Sequence, residues 1–177
     1  SCKHSANRRG VLGDGGGSKK LNWGGVSGLV GYNVEKIIST EKNVIIVEHK
    51  LGYININAGI DQSNIDHSNG ECALLLPEDP DGTARKIRNI LIKNIGCQVG
   101  VIISDSTNRP WRLGSIGSAI GSAGITVIDD RRGDGDLYGR EMKVTEINRA
   151  DAIAAAAVLI MGETTEKTPV AIVQGFS

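Results

Sequence analysis

Short apolar runs alternate with polar or glycine-containing segments from residue 34 onward, and this pattern predicts several short strands. Each run has the length of a strand, and most of the runs are rich in β-branched residues. The predicted strands are Val44–Glu48, Gly52–Asn57, Cys72–Leu76, Val99–Ser104, Ile125–Ile128, Met142–Ile147 and Val170–Gln174. A hairpin turn at Leu51-Gly52 is predicted to join the first two strands.

Apolar residues at spacings of three and four predict two long helices. The first covers Pro80–Ile95 and ends at Gly96. The second covers the alanine-rich Arg149–Met161, which is apolar on every side and is therefore predicted to be buried. Two further helices are predicted: one that Asn33 caps and that runs through Ile38, and one over a glycine repeat. The glycines recur at 114, 117, 121 and 124, where they would allow close packing on one helix face, or form a phosphate-binding loop.

The order of these elements predicts an α/β (α+β) fold, with a mixed β-sheet and flanking helices. Because a helix separates the strands Cys72–Leu76 and Val99–Ser104, part of the sheet is expected to be parallel. A length of 177 residues predicts one domain. Residues 1–33 differ, since they hold nine of the 24 glycines and are predicted to be a flexible lead-in, which leaves 34–177 as the folded domain. The stretch at 13–20 resembles a P-loop, but it has Ser18 where that motif requires glycine and Lys20 where it requires serine or threonine, so no P-loop is predicted there.

The amino-acid composition argues against two kinds of binding partner, nucleic acid and membranes. Twenty basic and 20 acidic residues balance, which gives no general attraction to nucleic acid or to an anionic membrane. No apolar run is long enough to cross a bilayer, and no signal-peptide pattern is present. The three cysteines, Cys2, Cys72 and Cys97, are far apart and odd in number, which favours a reduced, cytoplasmic setting.

Candidate chemistry is concentrated between Val99 and Gly114. Ser104-Asp105-Ser106 ends a predicted buried strand, the position where α/β sheets bind their ligands. Arg109 and Arg112 follow, and a guanidinium binds phosphate or carboxylate with two hydrogen bonds. The segment therefore predicts a metal-bound phosphate site; the alternative is a strand followed by a polar turn.

A second strand end carries Asp61 and Asn64, preceded by Gly59. These residues could form an Asx turn that only binds its own backbone. The similar position of Asp105 favours instead a site in which two distant carboxylates share Mg²⁺ or Mn²⁺. The charged loop at 129–136 does not fit the calcium-loop pattern, and self-paired surface charges are expected there.

Five motifs, in one order and spacing from about Val34 to the end, resemble the coenzyme F420-0:γ-glutamyl ligase family. The segments that carry the resemblance are Asn57–Asn64, Leu75–Asp81, Ser104–Arg112, Asp136–Glu141 and Leu159–Glu163. The resemblance implies an enzyme that uses GTP and a divalent metal to add L-glutamate by γ-linkage to coenzyme F420-0, through an acyl phosphate. It also implies an intertwined homodimer with a mixed sheet.

The resemblance also places functional residues. The family's metal ligands fall on Asp61, Asp105, Ser106 and Glu163, and Mg²⁺ or Mn²⁺ is the implied metal, with K⁺ a further candidate ion. The implied nucleotide contacts are Asn64, Met161, Gly162, Glu163, Thr164 and Thr165. Arg109 and Arg112 are our own candidates for phosphate or substrate carboxylate.

Three departures from the family pattern qualify this assignment. Ser106 stands where threonine is usual, which keeps the hydroxyl, and Asn108 stands where glycine is usual. Residues 1–33 do not resemble the family's N-terminal region, so 34–177 is predicted to be an N-terminally truncated member. The alternatives to an active ligase are a non-catalytic remnant that binds nucleotide and metal, and a metal-dependent nucleotide phosphohydrolase.

Overall fold

The computed structural model describes residues 34–41, 44–65, 68, 73–109 and 111–175, and these fall into two compact units that are divided between Glu78 and Asp79. The predicted lead-in, 1–33, lies outside the described residues. The strands are β1 (Val34–Glu41), β2 (Val44–His49), β3 (Ile54–Ile56), β4 (Val101–Asn108), β5 (Ser115–Ala123), β6 (Ile128–Asp130) and β7 (Glu146–Asn148). The helices are α1 (Pro80–Ile95) and α2 (Arg149–Met161), and a 3₁₀ turn covers Asn57–Gly59.

The first unit contains an antiparallel sheet in the order β1-β2-β3. The helix predicted to end at Ile38 is wrong, because these residues form β1, whose backbone groups pair with β2. The turn at Leu51-Gly52 is confirmed: the Gly52 N–H donates to the His49 carbonyl over 2.8 Å, and the alternating segment after it forms β3. Val47 and Ala58 are the buried centre of this unit.

The helix α1 has the bounds that the sequence predicts. The Asp79 carboxylate accepts a 2.7 Å hydrogen bond from the Gly82 N–H, and Pro80 occupies the first turn, where its missing N–H costs no hydrogen bond. Gly96 ends the helix in the left-handed conformation, with φ of 72°. Ala84 on α1 packs with Val101 and Ala123 in the main aliphatic cluster of the second unit.

The strands β4 and β5 form an antiparallel hairpin, and two predictions fail here. The glycine repeat does not form a helix: Gly117 and Gly121 lie on β5, where they pair with Ser106 and Ile103, and Gly114 and Gly124 flank this strand. Ser104-Asp105-Ser106 also does not end a strand, because β4 continues to Asn108. A repeat of three and four is compatible with a helix, but the backbone groups of these residues pair with β4 instead.

Both helices dock against β5 through the same two kinds of contact, which are close packing on a glycine and a hydrogen bond from a backbone N–H to an aspartate. A Cβ atom at Gly121 would lie 2.5 Å from Pro80 of α1, and one at Gly117 would lie 2.5 Å from the Ala154 carbonyl of α2. The close packing predicted for these glycines is therefore confirmed. Each helix also carries an aspartate in its first turn that accepts a β5 backbone N–H: Asp81 from Ser122 at 2.8 Å and Asp151 from Ala119 at 2.7 Å.

Two antiparallel strands, β6 and β7, flank the charged loop that precedes α2. Arg131 pairs with Asp129 and Asp134, and Arg132 pairs with Asp130 and Glu146, so the self-paired charges expected there are confirmed. Helix α2 also has the predicted bounds, but the prediction that it is a buried helix is wrong, since only Ala150 and Ala154 are buried.

The α+β class is confirmed, with two corrections to its details. Every strand pair among the described residues is antiparallel, so the parallel pairing expected for Val99–Ser104 is not found there. The predicted strand Val170–Gln174 is also wrong: these residues are described but irregular, because an apolar run forms a strand only where another strand offers its backbone groups. Neither described helix has the length and apolar character needed to span a membrane.

Candidate functional site

Helix α2 directs its C-terminal end toward the tip of the β4–β5 hairpin. Asp151 in its first turn binds the Ala119 N–H, and Ala154 and Val158 lie against Gly117. One residue after the helix's C-cap, Glu163 lies beside the hairpin tip. The absence of a side chain at Gly117 allows this approach, since a Cβ there would collide with the helix backbone.

The Glu163 carboxylate accepts a hydrogen bond from each strand of the hairpin. The Ser106 hydroxyl of β4 donates to Oε1 over 3.1 Å, and the Ser115 hydroxyl of β5 donates to Oε2. Two of the four predicted metal ligands, Ser106 and Glu163, are therefore brought together. Ser115 could not be identified from the sequence, since only the hairpin register shows which hydroxyl of β5 lies near Ser106.

Asp105 precedes Ser106 on β4, where the pairing with β5 is regular. Asp105 pairs with Ser118, and the Ser118 hydroxyl donates to the Asp105 carbonyl over 3.3 Å. Since successive side chains of a strand point to opposite faces, the Asp105 carboxylate leaves the face of the hairpin that holds Ser106 and Glu163. The predicted ligands of this unit are thus divided between two faces.

The predicted nucleotide-binding residues after Met161 form a compact loop. Both oxygens of the Glu166 carboxylate lie within hydrogen-bond distance of Thr164, and Oε2 accepts the Thr164 N–H at 2.8 Å. This backbone hydrogen bond is the main cause that lowers the pKa of Glu166. Glu166 was not among the predicted site residues, and it shapes the loop that carries Glu163. Nucleotide contact by Met161, Gly162, Thr164 and Thr165 stays a prediction.

The two predicted phosphate-binding arginines lie at the tip of the same hairpin. The Arg112 N–H donates to the Arg109 carbonyl over 3.2 Å, and Trp111 between them is fully exposed with a left-handed φ of 56°. Both arginines are exposed, and neither forms an ion pair with a carboxylate in the described part of the chain. Their charges are therefore available to an anionic group, and binding of such a group stays a prediction.

Asp61 lies in the first unit, in a loop that follows a strained turn. Asn57 and Ala58 both have left-handed backbone conformations, with φ of 51° and 56°. The Asp61 Oδ1 atom accepts the Ser63 N–H at 2.7 Å and the Ser63 hydroxyl at 2.6 Å, which is the Asx turn that the sequence allowed. Asn64 follows with φ of 52°. Asp61 and Asp105 belong to different units, and their shared metal site stays a prediction.

The oxygen atoms around Glu163 fit a hard divalent cation. A carboxylate and two hydroxyls are the donor types that Mg²⁺ and Mn²⁺ prefer, and Mg²⁺ is commonly held by one or two carboxylates together with water and substrate phosphates. Across the described ranges, no group of three or more His, Cys, Asp or Glu side chains is placed to hold a metal ion. Phosphate or water ligands would therefore complete the coordination.

In the second unit of this α+β chain, one carboxylate lies between two strand hydroxyls, and two exposed arginines lie at the tip of the same hairpin. The family model described as F420-0:Gamma-glutamyl ligase matches residues 29–175. The chain belongs to this family.

Three curated relatives, each named coenzyme F420:L-glutamate ligase, show how much of their own length this chain matches. The relative from Methanocaldococcus jannaschii is 46% identical over 141 residues, and that from Methanopyrus kandleri is 45% identical over 141 residues; each match covers 80% of this chain and 55% of the relative. The relative from Methanothermobacter thermautotrophicus is 43% identical over 151 residues, 85% of this chain and 58% of its own. The chain thus spans little more than half the length of these relatives.

Proposed function

We propose that this chain ligates L-glutamate by γ-linkage to coenzyme F420-0, in a reaction that consumes GTP and requires Mg²⁺ or Mn²⁺. Family membership supports the ligation and its two substrates, since the matched relatives are named for it. The observation that carries the metal and nucleotide requirement is the Glu163 carboxylate held between the Ser106 and Ser115 hydroxyls.

The chemistry needs phosphate activation and alignment of substrates more than it needs a protein nucleophile. A substrate carboxylate attacks the γ-phosphorus of GTP, which forms an acyl phosphate and releases GDP. The amine of L-glutamate then attacks the acyl carbon, an amide bond forms, and phosphate leaves while the amine loses a proton. Both steps concentrate negative charge, so fixed positive charge and correct orientation supply most of the acceleration.

Residues of the second unit match these needs. A bound divalent cation would supply charge neutralisation at the phosphates, and Glu163 and Ser106 would hold it. Arg109 and Arg112, exposed at the hairpin tip, would bind phosphate or the substrate carboxylate. The loop that Glu166 folds after Met161 would contact the nucleotide. Asp105 lies on the opposite face of β4, and Asp61 and Asn64 lie in the other unit, so their roles as metal and nucleotide ligands are proposed from the family resemblance alone.

We also propose that the chain works as a homodimer. Leu159 and Ile160 near the end of α2 are 86% and 70% exposed, and Ile172 is 85% exposed. Such apolar side chains favour burial against another surface. Sedimentation equilibrium of the purified chain should give twice the mass of 18.7 kDa; a monomer at micromolar concentration would contradict this assignment.

The ligase proposal is tested by incubating the purified chain with GTP, Mn²⁺, L-glutamate and coenzyme F420-0, and by following the glutamylated product by mass spectrometry. Glu163→Gln should lower kcat/KM at least 100-fold, because it removes the carboxylate charge from the proposed metal site. Glu35→Gln, an exposed glutamate on β1, is the matched control and should match the wild-type chain.

Two results would overturn the ligase proposal in favour of its alternatives. Tight binding of Mn²⁺ and GDP without any product would identify a non-catalytic remnant. Hydrolysis of GTP that needs neither glutamate nor coenzyme F420-0 would identify a phosphohydrolase.

A further inference from the structure

We propose that Ser115 is a positioning residue, which holds the Glu163 carboxylate so that one of its oxygens stays beside the Ser106 hydroxyl. Ser115 is the first residue of β5, and its hydroxyl donates to Oε2 of Glu163. Oε1 accepts from Ser106. The role of Ser115 at a metal rests on the proposed function, whereas its role in ordering the carboxylate does not.

The hairpin register explains why Ser115 reaches the same carboxylate as Ser106. Asn108 pairs with Ser115, and Ser106 pairs with Gly117, so the two serines are diagonal neighbours on one face. Gly117 lies between them on that face without a side chain, and α2 passes over it. The carboxylate that follows α2 is therefore received by two hydroxyls that belong to different strands.

A carboxylate in this position needs such support. Glu163 is exposed and follows the helix end, where three side-chain torsions are free to rotate unless contacts fix them. With Ser106 alone, the carboxylate can rotate about one hydrogen bond. The second hydroxyl, on the other oxygen, fixes the carboxylate plane and leaves Oε1 and the Ser106 oxygen as neighbouring donors for a cation. Partners that orient a metal ligand in this way contribute about 10–100-fold to metal affinity.

Other hydroxyls of β5 do not substitute for Ser115. Ser118 donates to the Asp105 carbonyl and lies on the opposite face. Ser122 lies at the far end of β5, where its backbone N–H donates to Asp81 of α1. Ser122→Ala is therefore a matched control, since it removes the same group from the same strand without touching Glu163.

The first arm of the test measures Mn²⁺ binding to the full chain by isothermal titration calorimetry. Ser115→Ala should weaken binding about tenfold, Ser115→Thr should restore it because the hydroxyl is kept, and Ser122→Ala should match the wild type. Thermal unfolding of all three variants should stay close to the wild type. An Mn²⁺ affinity that is unchanged in Ser115→Ala, while Glu163→Gln loses binding, would overturn the role at the metal and leave the ligase proposal standing.

The second arm uses the chain without metal and is independent of the proposed function. Amide hydrogen exchange should accelerate several-fold over 161–168 in Ser115→Ala, return to wild-type rates in Ser115→Thr, and remain unchanged in α1 throughout. If the exchange rates respond in this way but the wild-type chain binds no Mn²⁺ and ligates nothing, the positioning role stands and the proposed function fails. Wild-type exchange rates in Ser115→Ala, or equal acceleration in Ser122→Ala, would overturn the positioning role.

Discussion

Helices α1 and α2 dock on one strand by the same means but end in different surroundings. Each packs against a glycine of β5 and accepts a β5 backbone N–H through an aspartate of its first turn. At its other end, α1 closes with Gly96 in a left-handed cap. After α2, Gly162 is followed by Glu163, which contacts the polar hairpin tip.

The two helices of this unit therefore have different roles: α1 contributes to the core, and α2 also positions a residue of the candidate site. The docking of α1 serves the aliphatic cluster of Ala84, Val101 and Ala123. The docking of α2 also sets the position of the Glu163 carboxylate, so a change in the packing of α2 also displaces this side chain from the hairpin tip. Adding a methyl group at the docking glycine of either helix should therefore have similar effects on stability and unequal effects on metal binding.

The largest effect is expected from adding a methyl group at either docking glycine. Gly117→Ala and Gly121→Ala should each lower the free energy of unfolding by about 3 kcal/mol, because the new Cβ would lie 2.5 Å from helix backbone atoms. Urea denaturation followed by circular dichroism measures this loss. Gly135→Ala is the control, since its nearest neighbour would be at an ordinary 3.6 Å.

Metal binding then distinguishes the two glycine variants. In the folded fraction, Gly117→Ala should weaken Mn²⁺ binding at least tenfold because it displaces α2 and Glu163, whereas Gly121→Ala should leave binding within twofold. Equal losses of Mn²⁺ affinity in both variants would show that Glu163 does not depend on how α2 docks.

The first-turn aspartates should give a smaller and unequal pair of effects. Asp151→Ala leaves the half-buried Ala119 N–H without its acceptor and should cost about 1–2 kcal/mol in unfolding free energy. Asp81→Ala exposes the Ser122 N–H to water, which replaces the lost acceptor, so its cost should stay below about 1 kcal/mol. Urea denaturation compares the two variants. A larger loss of unfolding free energy in Asp81→Ala than in Asp151→Ala would contradict the argument from the burial of the two N–H groups.

A local effect is expected at Glu166, in the loop after α2. The Thr164 N–H lowers the pKa of Glu166 below its ordinary value of 4.5, so the ordering by this carboxylate is complete above pH 4.5 and is lost as the pH falls through the lower folded value. Hydrogen exchange of the Thr164 amide, after correction for the intrinsic rate, should therefore speed up on acidification. In Glu166→Ala, the Thr164 amide should exchange fast at every pH. A corrected exchange rate of this amide that does not change with pH in the wild-type chain would contradict this role of Glu166.

The smallest effect on stability is expected in the charged loop before β7. Hydrogen bonds from the Arg132 side chain, and then from its backbone, lower the pKa of Asp130 to about 2. The stabilisation is present above the ordinary value of 3.8 and is lost as the pH falls toward 2. Arg132→Gln should raise the pKa of Asp130 in an NMR titration without a measurable change in Tm, because both side chains are half exposed.

Arg131→Gln is the control for this titration, since Arg131 pairs with Asp129 and Asp134 instead. It should leave the pKa of Asp130 low. An Asp130 that titrates near 3.8 in the wild-type chain would show that the ion pair does not persist in solution.

Local signals made the two helices predictable from the sequence. Asp79, Pro80 and Gly96 define the ends of α1 through hydrogen bonds and conformations that lie within a few residues, and α2 follows from its continuous apolar run. These features need no knowledge of distant residues. The motifs of the family also indicated Ser106 and Glu163 as members of one candidate site, and the structure brings their side chains together.

The strand β5 and the contact with Ser115 needed the tertiary structure. A glycine repeat of three and four suits a helix as well as a strand, and the pairing with β4 together with the approach of two helices decided between them. Ser115 and Glu163 are 48 residues apart in the chain, so no local pattern links them. The sequence by itself determined which groups are available for chemistry, and the hairpin register with the docking of α2 determined which of them meet, because side-chain contacts between distant residues exist only after the backbone is in place.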